Sequence, residues 1–176
     1  MQIAFEKKFN TTLDRLVDSL MFGPLKMRDS KLIWDGSVDE KRFAAWYDKE
    51  GKASHVITKQ IKPGAADDML TTIKDYGKFC VAVMNHSIFP ASMFNEMIRT
   101  PVKIKEKDYM GLRWEILTGF SNDNYVLVLS GSDNSVRTLA IMIPGNKEGL
   151  MIMTNGDNGM MMYEGIIVRN LSLELS

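Results

Sequence analysis

Residues Val126–Pro144 read VLVLSGSDNSVRTLAIMIP. Two apolar runs rich in β-branched residues, VLVLS and VRTLAIMI, flank the small, polar stretch GSDNS. A strand, a tight turn and a returning strand is the simplest reading, and so short a connection favours antiparallel pairing. Reading outward, the pattern repeats. GLRWEIL and GFSNDN precede it, and PGNKEG and GLMIMT follow it. The second half is therefore predicted to be a β-meander of the strands GLRWEIL, YVLVLS, VRTLAIMI and GLMIMT. The tail from about Met160 to Asn170 is predicted to close it with a helix.

The first half carries a helical period instead. Leu13, Leu16, Val17, Leu20 and Met21 form an apolar stripe. Asn10, Thr11 or Thr12 is placed to cap it, and Gly23-Pro24 to stop it. Lys31 to Lys62 reads as irregular, with extended pieces such as HVIT. A second helix is predicted from about Ala66 to Asn85, with Met69, Leu70, Ile73, Tyr76, Cys80, Val83 and Met84 on its apolar side. Asp67 and Asp68 then fall in its first turn, where negative charge is favourable, and Lys74 and Lys78 on its solvated face. A third helix starts near Pro90 and ends before Pro101. The expectation is one α+β domain over residues 1–176, an antiparallel sheet with packed helices.

Composition narrows the function. Lys plus Arg and Asp plus Glu both total 22, so formal net charge is zero. No basic face for nucleic acid is indicated. No apolar run approaches the roughly 20 residues that span a bilayer. Met1–Asn10 lacks the apolar segment of a signal peptide. The single cysteine, Cys80, rules out an intramolecular disulfide, and its spacing places it in the core. Five of the 14 methionines fall late, at Met151, Met153 and Met160 to Met162, and the methionines are read as adaptable core packing rather than a soft-metal site. No pattern for a cofactor is present.

The order of several segments carries a resemblance. LVDSLMFGPLKMRDSKL, KRFAAWYDKEGK, KPGAADDMLTTIKDYGKF, MIRTPVK with YMGLRWEI, VLVLSGSDNSVRTLAIMIP and GLMIMTNGDNG occur in this order over nearly the whole chain. Together they resemble the later part of serine β-lactamase-like hydrolases, the class C β-lactamase and penicillin-binding protein group. The resemblance implies the C-terminal portion of a β-lactamase/transpeptidase-like fold, hydrolase chemistry on a β-lactam, peptide or ester, and a periplasmic or envelope location.

That chemistry uses three groups of residues. A Ser-x-x-Lys pair supplies the nucleophile with an amine one helical turn away. A Tyr-x-Asn or Ser-x-Asn segment moves protons. A Lys or His followed by small-x-Gly lines the substrate on an edge strand, next to a backbone N–H of the oxyanion hole. This sequence contains neither Ser-x-x-Lys nor Tyr-x-Asn. Thr71-x-x-Lys74 is the nearest imitation. Both motifs lie upstream in the family, so the chain is expected to be a fragment or truncated member, inactive alone, with no catalytic residue of its own. The alternative is a non-catalytic binding, sensing or interaction module.

By resemblance the third group falls on Leu129, Ser130 and Gly131, with Ser132 at the oxyanion-hole position. Leu129 departs from the pattern, since it carries neither charge nor a hydrogen-bonding group. Ser135 replaces a glycine common in the turn, and Asn134 is expected to take the left-handed backbone. Ser132-Asp133-Asn134 matches a class A triplet in letters only, because that triplet lies between helices.

Other candidates are weaker. His55 and His86 have no acid at triad or metal spacing, and His86 fits the end of the second helix. Glu115 is either a strand charge or a pocket rim. SNDN, GSDN and GDNG are turn compositions without calcium-loop spacing. A sheet without its N-terminal neighbours should expose an apolar face or edge, so a homodimer, or contact with a missing N-terminal segment, is expected.

Overall fold

The computed structural model describes residues 1–53, 59–67, 69–99 and 102–171. His55, the HVIT piece and Asp68 lie outside them. The chain divides into two compact units, one of residues 1–44 and 56–79, the other of residues 45–55 and 80–176.

The first unit begins with a helix absent from the sequence reading, α1 (Gln2–Phe9). It ends on Asn10 in left-handed conformation. The next helix, α2 (Leu13–Val17), starts after Thr12 as expected. Its first amide is met by Glu6, whose Oε1 accepts from Leu13 N–H at 3.0 Å, and not by the Thr12 side chain. A π-helical turn, Asp18–Phe22, then takes in one extra residue. That insertion rotates the apolar stripe. Leu20, expected inside, is 67% exposed, whereas Phe22 is 4% exposed. Phe22, Met27 and Leu32 form the buried cluster, with Leu13, Val17, Met21, Met69 and Phe79 packed around it.

The second predicted helix is shorter than its apolar pattern. Here α3 spans Ile73–Met84. Leu70 is extended and exchanges two backbone hydrogen bonds of 2.8 Å with Lys31. Thr72 supplies the cap, its Oγ1 accepting from Asp75 N–H at 3.3 Å. Asp67 therefore lies outside the helix and is exposed, not in its first turn.

In the second unit α4 (Ala91–Arg99) starts after Pro90, whose carbonyl accepts from Met93 and Phe94. A meander follows: β1 (Val102–Lys105), β2 (Asp108–Met110), β3 (Glu115–Leu117), β4 (Val126–Asp133), β5 (Val136–Ile143) and β6 (Glu148–Thr154). They make one six-stranded antiparallel sheet in sequence order. Strands β1 and β2 add to the four strands expected. Val126, Leu139, Ile141, Ile143 and Ile152 form the core on one face, covered by Tyr163, Ile166 and Ile167 of the closing helix α5 (Tyr163–Asn170). Pairing alternates faces, so Leu127, Leu129, Ala140 and Met142 point to the other side. Cys80 and Val83 of α3 and Phe94 of α4 are buried. Met160, Met161 and Met162 are exposed by 61%, 83% and 58%, so core packing does not account for them. They form a short 3-10 turn whose side chains fan outward.

Candidate functional site: an open edge on the fourth strand

β4 is bordered unequally on its two sides. Toward β5 it pairs along its whole length from Leu127 to Asp133. Toward β3 it pairs only through Val126, Val128 and the intervening Leu127. Among the described residues no strand lies beside Leu129 to Ser132 on that side, so the backbone groups that point there form an open row. Such a row is a template for an added extended chain.

The side chains there are small. Ser130, Gly131, Ser132 and Asp133 are exposed, and Leu129 is half-buried. The four residues Leu129, Ser130, Gly131 and Ser132 are thus brought together along one strand, opposite Ala140, Leu139, Thr138 and Arg137 of β5. A Cβ on Gly131 would stand 2.6 Å from Thr138 Oγ1, so any side chain must displace that threonine. The bare glycine keeps the strand accessible. Leu129 sits on the Leu127 face and offers only van der Waals contact where the resemblance implies a cation.

The turn ending β4 is held firmly. Ser132 and Asp133 belong to the strand, leaving Asn134 and Ser135 as the turn. Ser135, not Asn134, takes the left-handed backbone, with φ 56°. The reason is a distant anchor: Ser135 N–H donates to Asp157 Oδ1 at 2.9 Å. The same oxygen accepts from Arg137 Nη2 at 3.1 Å, and Arg137 Nη1 donates to the carbonyls of Val136 and Asp133. Arg137 is thereby committed to the scaffold.

GDNG works as a clip. Asp157 N–H donates to the Tyr47 carbonyl at 3.1 Å, and Tyr47 N–H to the Asn155 carbonyl at 3.0 Å. Asn155 and Asn158 donate their side-chain amides to Ala45 and Lys49 carbonyls, each at 2.7 Å. Among the described residues, no group of three or more His, Cys, Asp or Glu side chains is arranged to hold a metal ion.

The remaining candidates lie apart from this edge. Thr71 precedes α3, and its hydroxyl is 2.8 Å from Ser30 Oγ, while Lys74 is exposed. They form no nucleophile–amine pair. His86 has φ 54° at the end of α3, its ring edge-on to Phe94 at 4.5 Å. Glu115 is half-buried on β3 opposite Val128. Burial pushes the Cys80 thiol up to about 11.

In the first unit a polar cluster escaped the sequence reading. Asp75, 1% exposed, accepts from Asp29 N–H at 2.7 Å, Ser30 Oγ at 3.2 Å and Lys78 Nζ at 2.6 Å. Lys78 also donates to the Lys26 carbonyl, so it is not a solvated-face lysine. Burial acts to raise the Asp75 pKa, but the hydrogen bonds from Lys78, Asp29 and Ser30 hold it below the usual carboxylate value. The signal was present as Thr72-x-x-Asp75, a capping-box spacing at the true helix start.

Comparison with known proteins supplies the family. No curated protein matches the chain by sequence. Solved structures do match. A penicillin-binding protein from Bacillus halodurans is 18% identical with TM-score 0.78, over 97% of this chain and 52% of that one. A D-stereospecific amidohydrolase from Streptomyces sp. is 22% identical with TM-score 0.70, over 89% and 47%. A class C beta-lactamase is 17% identical with TM-score 0.71, over 94% and 53%. The chain spans about half the length of these structures. Their fold is shared: α+β, with an antiparallel sheet and packed helices. A sequence model described as Beta-lactamase matches residues 1–171. With that match over almost the entire length, the chain belongs to the beta-lactamase family.

Proposed function

We propose that the chain is a ligand-binding part of a β-lactamase-family hydrolase and has no hydrolytic activity by itself. The observation that carries this reading is the open edge from Leu129 to Ser132. Its free backbone groups suit an extended, amide-containing ligand, a peptide or a β-lactam, laid alongside β4. The names of the matched structures, a penicillin-binding protein and a D-stereospecific amidohydrolase, fit that ligand class. Leu129 supplies no charge, and neither Ser-x-x-Lys nor Tyr-x-Asn occurs in the sequence, which supports binding without turnover.

Intact-mass measurement after incubation with a labelled penicillin tests the absence of chemistry. The expected mass is unchanged. A gain of one acyl group that disappears on replacing a single serine would sink the proposal. Chemical-shift perturbation with an unlabelled peptide tests the binding, and the amides of Leu129–Ser132 are expected to move first.

A second reading is favoured by the length of the match, about half of each solved structure. In it a separate segment brings the nucleophile to this edge and completes an enzyme. An in-frame Ser-x-x-Lys in the coding DNA before Met1 supports this reading, and a start codon at Met1 with no such segment encoded nearby counts against it.

A further inference from the structure

The clip at the end of β6 holds both Asn-Gly pairs of the sequence, Asn155-Gly156 and Asn158-Gly159. The backbone nitrogen after an asparagine can attack that residue's own side-chain carbonyl, and a glycine there has no Cβ to crowd the approach. Three conditions govern the attack. The attacking N–H must be free of other bonds, the backbone must bring its nitrogen over the side chain, and the side-chain amide must be able to turn.

The structure separates the two pairs on these conditions. Gly159 N–H donates to the Gly156 carbonyl at 3.0 Å. Gly159 is also buried, and a Cβ there would collide with Thr154 Oγ1, so its amide has no room to move. Asn158 has ψ 5°, which eclipses the Gly159 nitrogen with Asn158 N and turns it away from Cβ. Ring closure needs that nitrogen eclipsed with Cβ. Gly156 differs. Tyr47 pairs around it, through the Asn155 carbonyl and the Asp157 N–H, and among the described residues Gly156 N–H has no acceptor. Asn155 is exposed, and its Nδ2 donates at 2.7 Å to the carbonyl of Ala45, which is exposed too. A surface hydrogen bond of this kind is worth about 1 kcal/mol and opens often.

We propose that Asn155 is a self-modifying site, whose conversion to aspartate and isoaspartate releases the stretch beginning at Ala45 from the end of β6. Gly156 N attacks Asn155 Cγ and gives its proton to solvent. The Cγ–Nδ2 bond breaks and ammonia leaves. The five-membered imide then takes up one water. Opening at Cγ gives aspartate, and opening at the main-chain carbonyl gives isoaspartate. One water is consumed and one ammonia released, with no change of oxidation state.

Either product undoes the clip. Aspartate sets a carboxylate oxygen where Nδ2 donated, so two acceptors face each other at Ala45. Isoaspartate lengthens the main chain by one methylene and shifts the carbonyl that accepts from Tyr47 N–H. The bonds from Ser135 and Arg137 to Asp157 use none of the reacting atoms, so this site is independent of the ligand read at the β4 edge.

Peptide mapping of the full chain during prolonged incubation in mildly alkaline buffer tests it. Trypsin cuts after Lys147 and Arg169 to give one peptide with both pairs, and fragmentation locates the change. Asn155 is expected as a mixture of aspartate and isoaspartate, with Asn158 intact. Gly156→Ala is expected to lose the conversion while keeping the fold, since its Cβ would meet only the Tyr47 carbonyl, at 3.8 Å. Limited trypsin digestion at Lys49 and Lys52 reads the release. Fresh wild type is expected to be spared there, and both aged wild type and Asn155→Asp to be cut. Asn155 unchanged in the folded chain, at a time when the urea-unfolded chain has converted it fully, overturns the proposal. So does Asn158 converting as fast as Asn155 in the folded chain. So does an aged chain, converted at Asn155, that resists trypsin like a fresh one, and this reading stands even if Asn155→Asp fails to fold.

Discussion

Leu129 puts an uncharged side chain on the open edge of β4. Its position on β4 is the one where the family resemblance implies Lys or His, yet its side chain carries neither charge nor a hydrogen-bonding group. On the proposed reading, in which the chain by itself has no hydrolytic activity, a charge placed here gives no hydrolysis, because an amine alone breaks no bond. Leu129→Lys is therefore expected to leave hydrolysis of a chromogenic cephalosporin at the buffer rate. Cys80 is the complementary case, a chemically competent atom made inert by its surroundings. Its thiol pKa, pushed up to about 11, leaves very little thiolate at neutral pH. Labelling by a disulfide reagent at pH 7 is expected to be about a hundredfold slower than for a free thiol, and to reach the ordinary rate in denaturant. Asp157 holds the turn after β4 through one oxygen shared by Ser135 N–H and Arg137. Asp157→Ala is expected to cost about 2 kcal/mol in a denaturant melt, and Asp157→Asn less, since the amide oxygen still accepts from Ser135.

At the level of elements, the attachment of residues 26–30 to α3 depends on Asp75. This buried carboxylate gathers an amide, a hydroxyl and an ammonium. Its folded pKa lies below the unfolded value, so the stabilisation is complete above the unfolded pKa of about 4 and fades as pH falls through the folded one. Asp75→Asn is expected to lower stability at pH 7 by about 2 kcal/mol and to flatten its decline below pH 4, as read from urea midpoints across pH.

The sequence made some elements legible and hid others for physical reasons. Strands β4 to β6 declared themselves because apolar runs of this length, closely spaced between turn residues, have few other interpretations. β1 is exposed and half lysine, and β2 is only three residues long, so neither carried that signal. The start of α3 was misplaced because Met69 and Leu70 extend the apolar period while pairing as a strand with Lys31. Leu20 was misassigned because a π-helical turn breaks the 3.6-residue count. Leu129 to Ser132 lie on β4, within the strand and turn read around them. That β3 leaves those residues unbordered depends on pairing register, which no local pattern encodes.

For the whole molecule, chain order matters as well as packing. The Asn155 and Asn158 amides reach carbonyls of Ala45 and Lys49, 110 and 109 residues earlier. Contacts this distant in sequence must wait for most of the chain, and they slow folding. During synthesis, the stretch beginning at Ala45 leaves the ribosome long before its partners exist. A nascent chain arrested with Lys147 as its last residue lacks Asn155, Asp157 and Asn158. Limited proteolysis is expected to cut such a chain within Ala45–Ala53 and to spare that stretch in the full chain. Equal protection in both would show that Ala45–Lys49 docks without the clip. The GDNG turn thus works as a timing element, keeping the second unit unfinished until the whole sheet has been made.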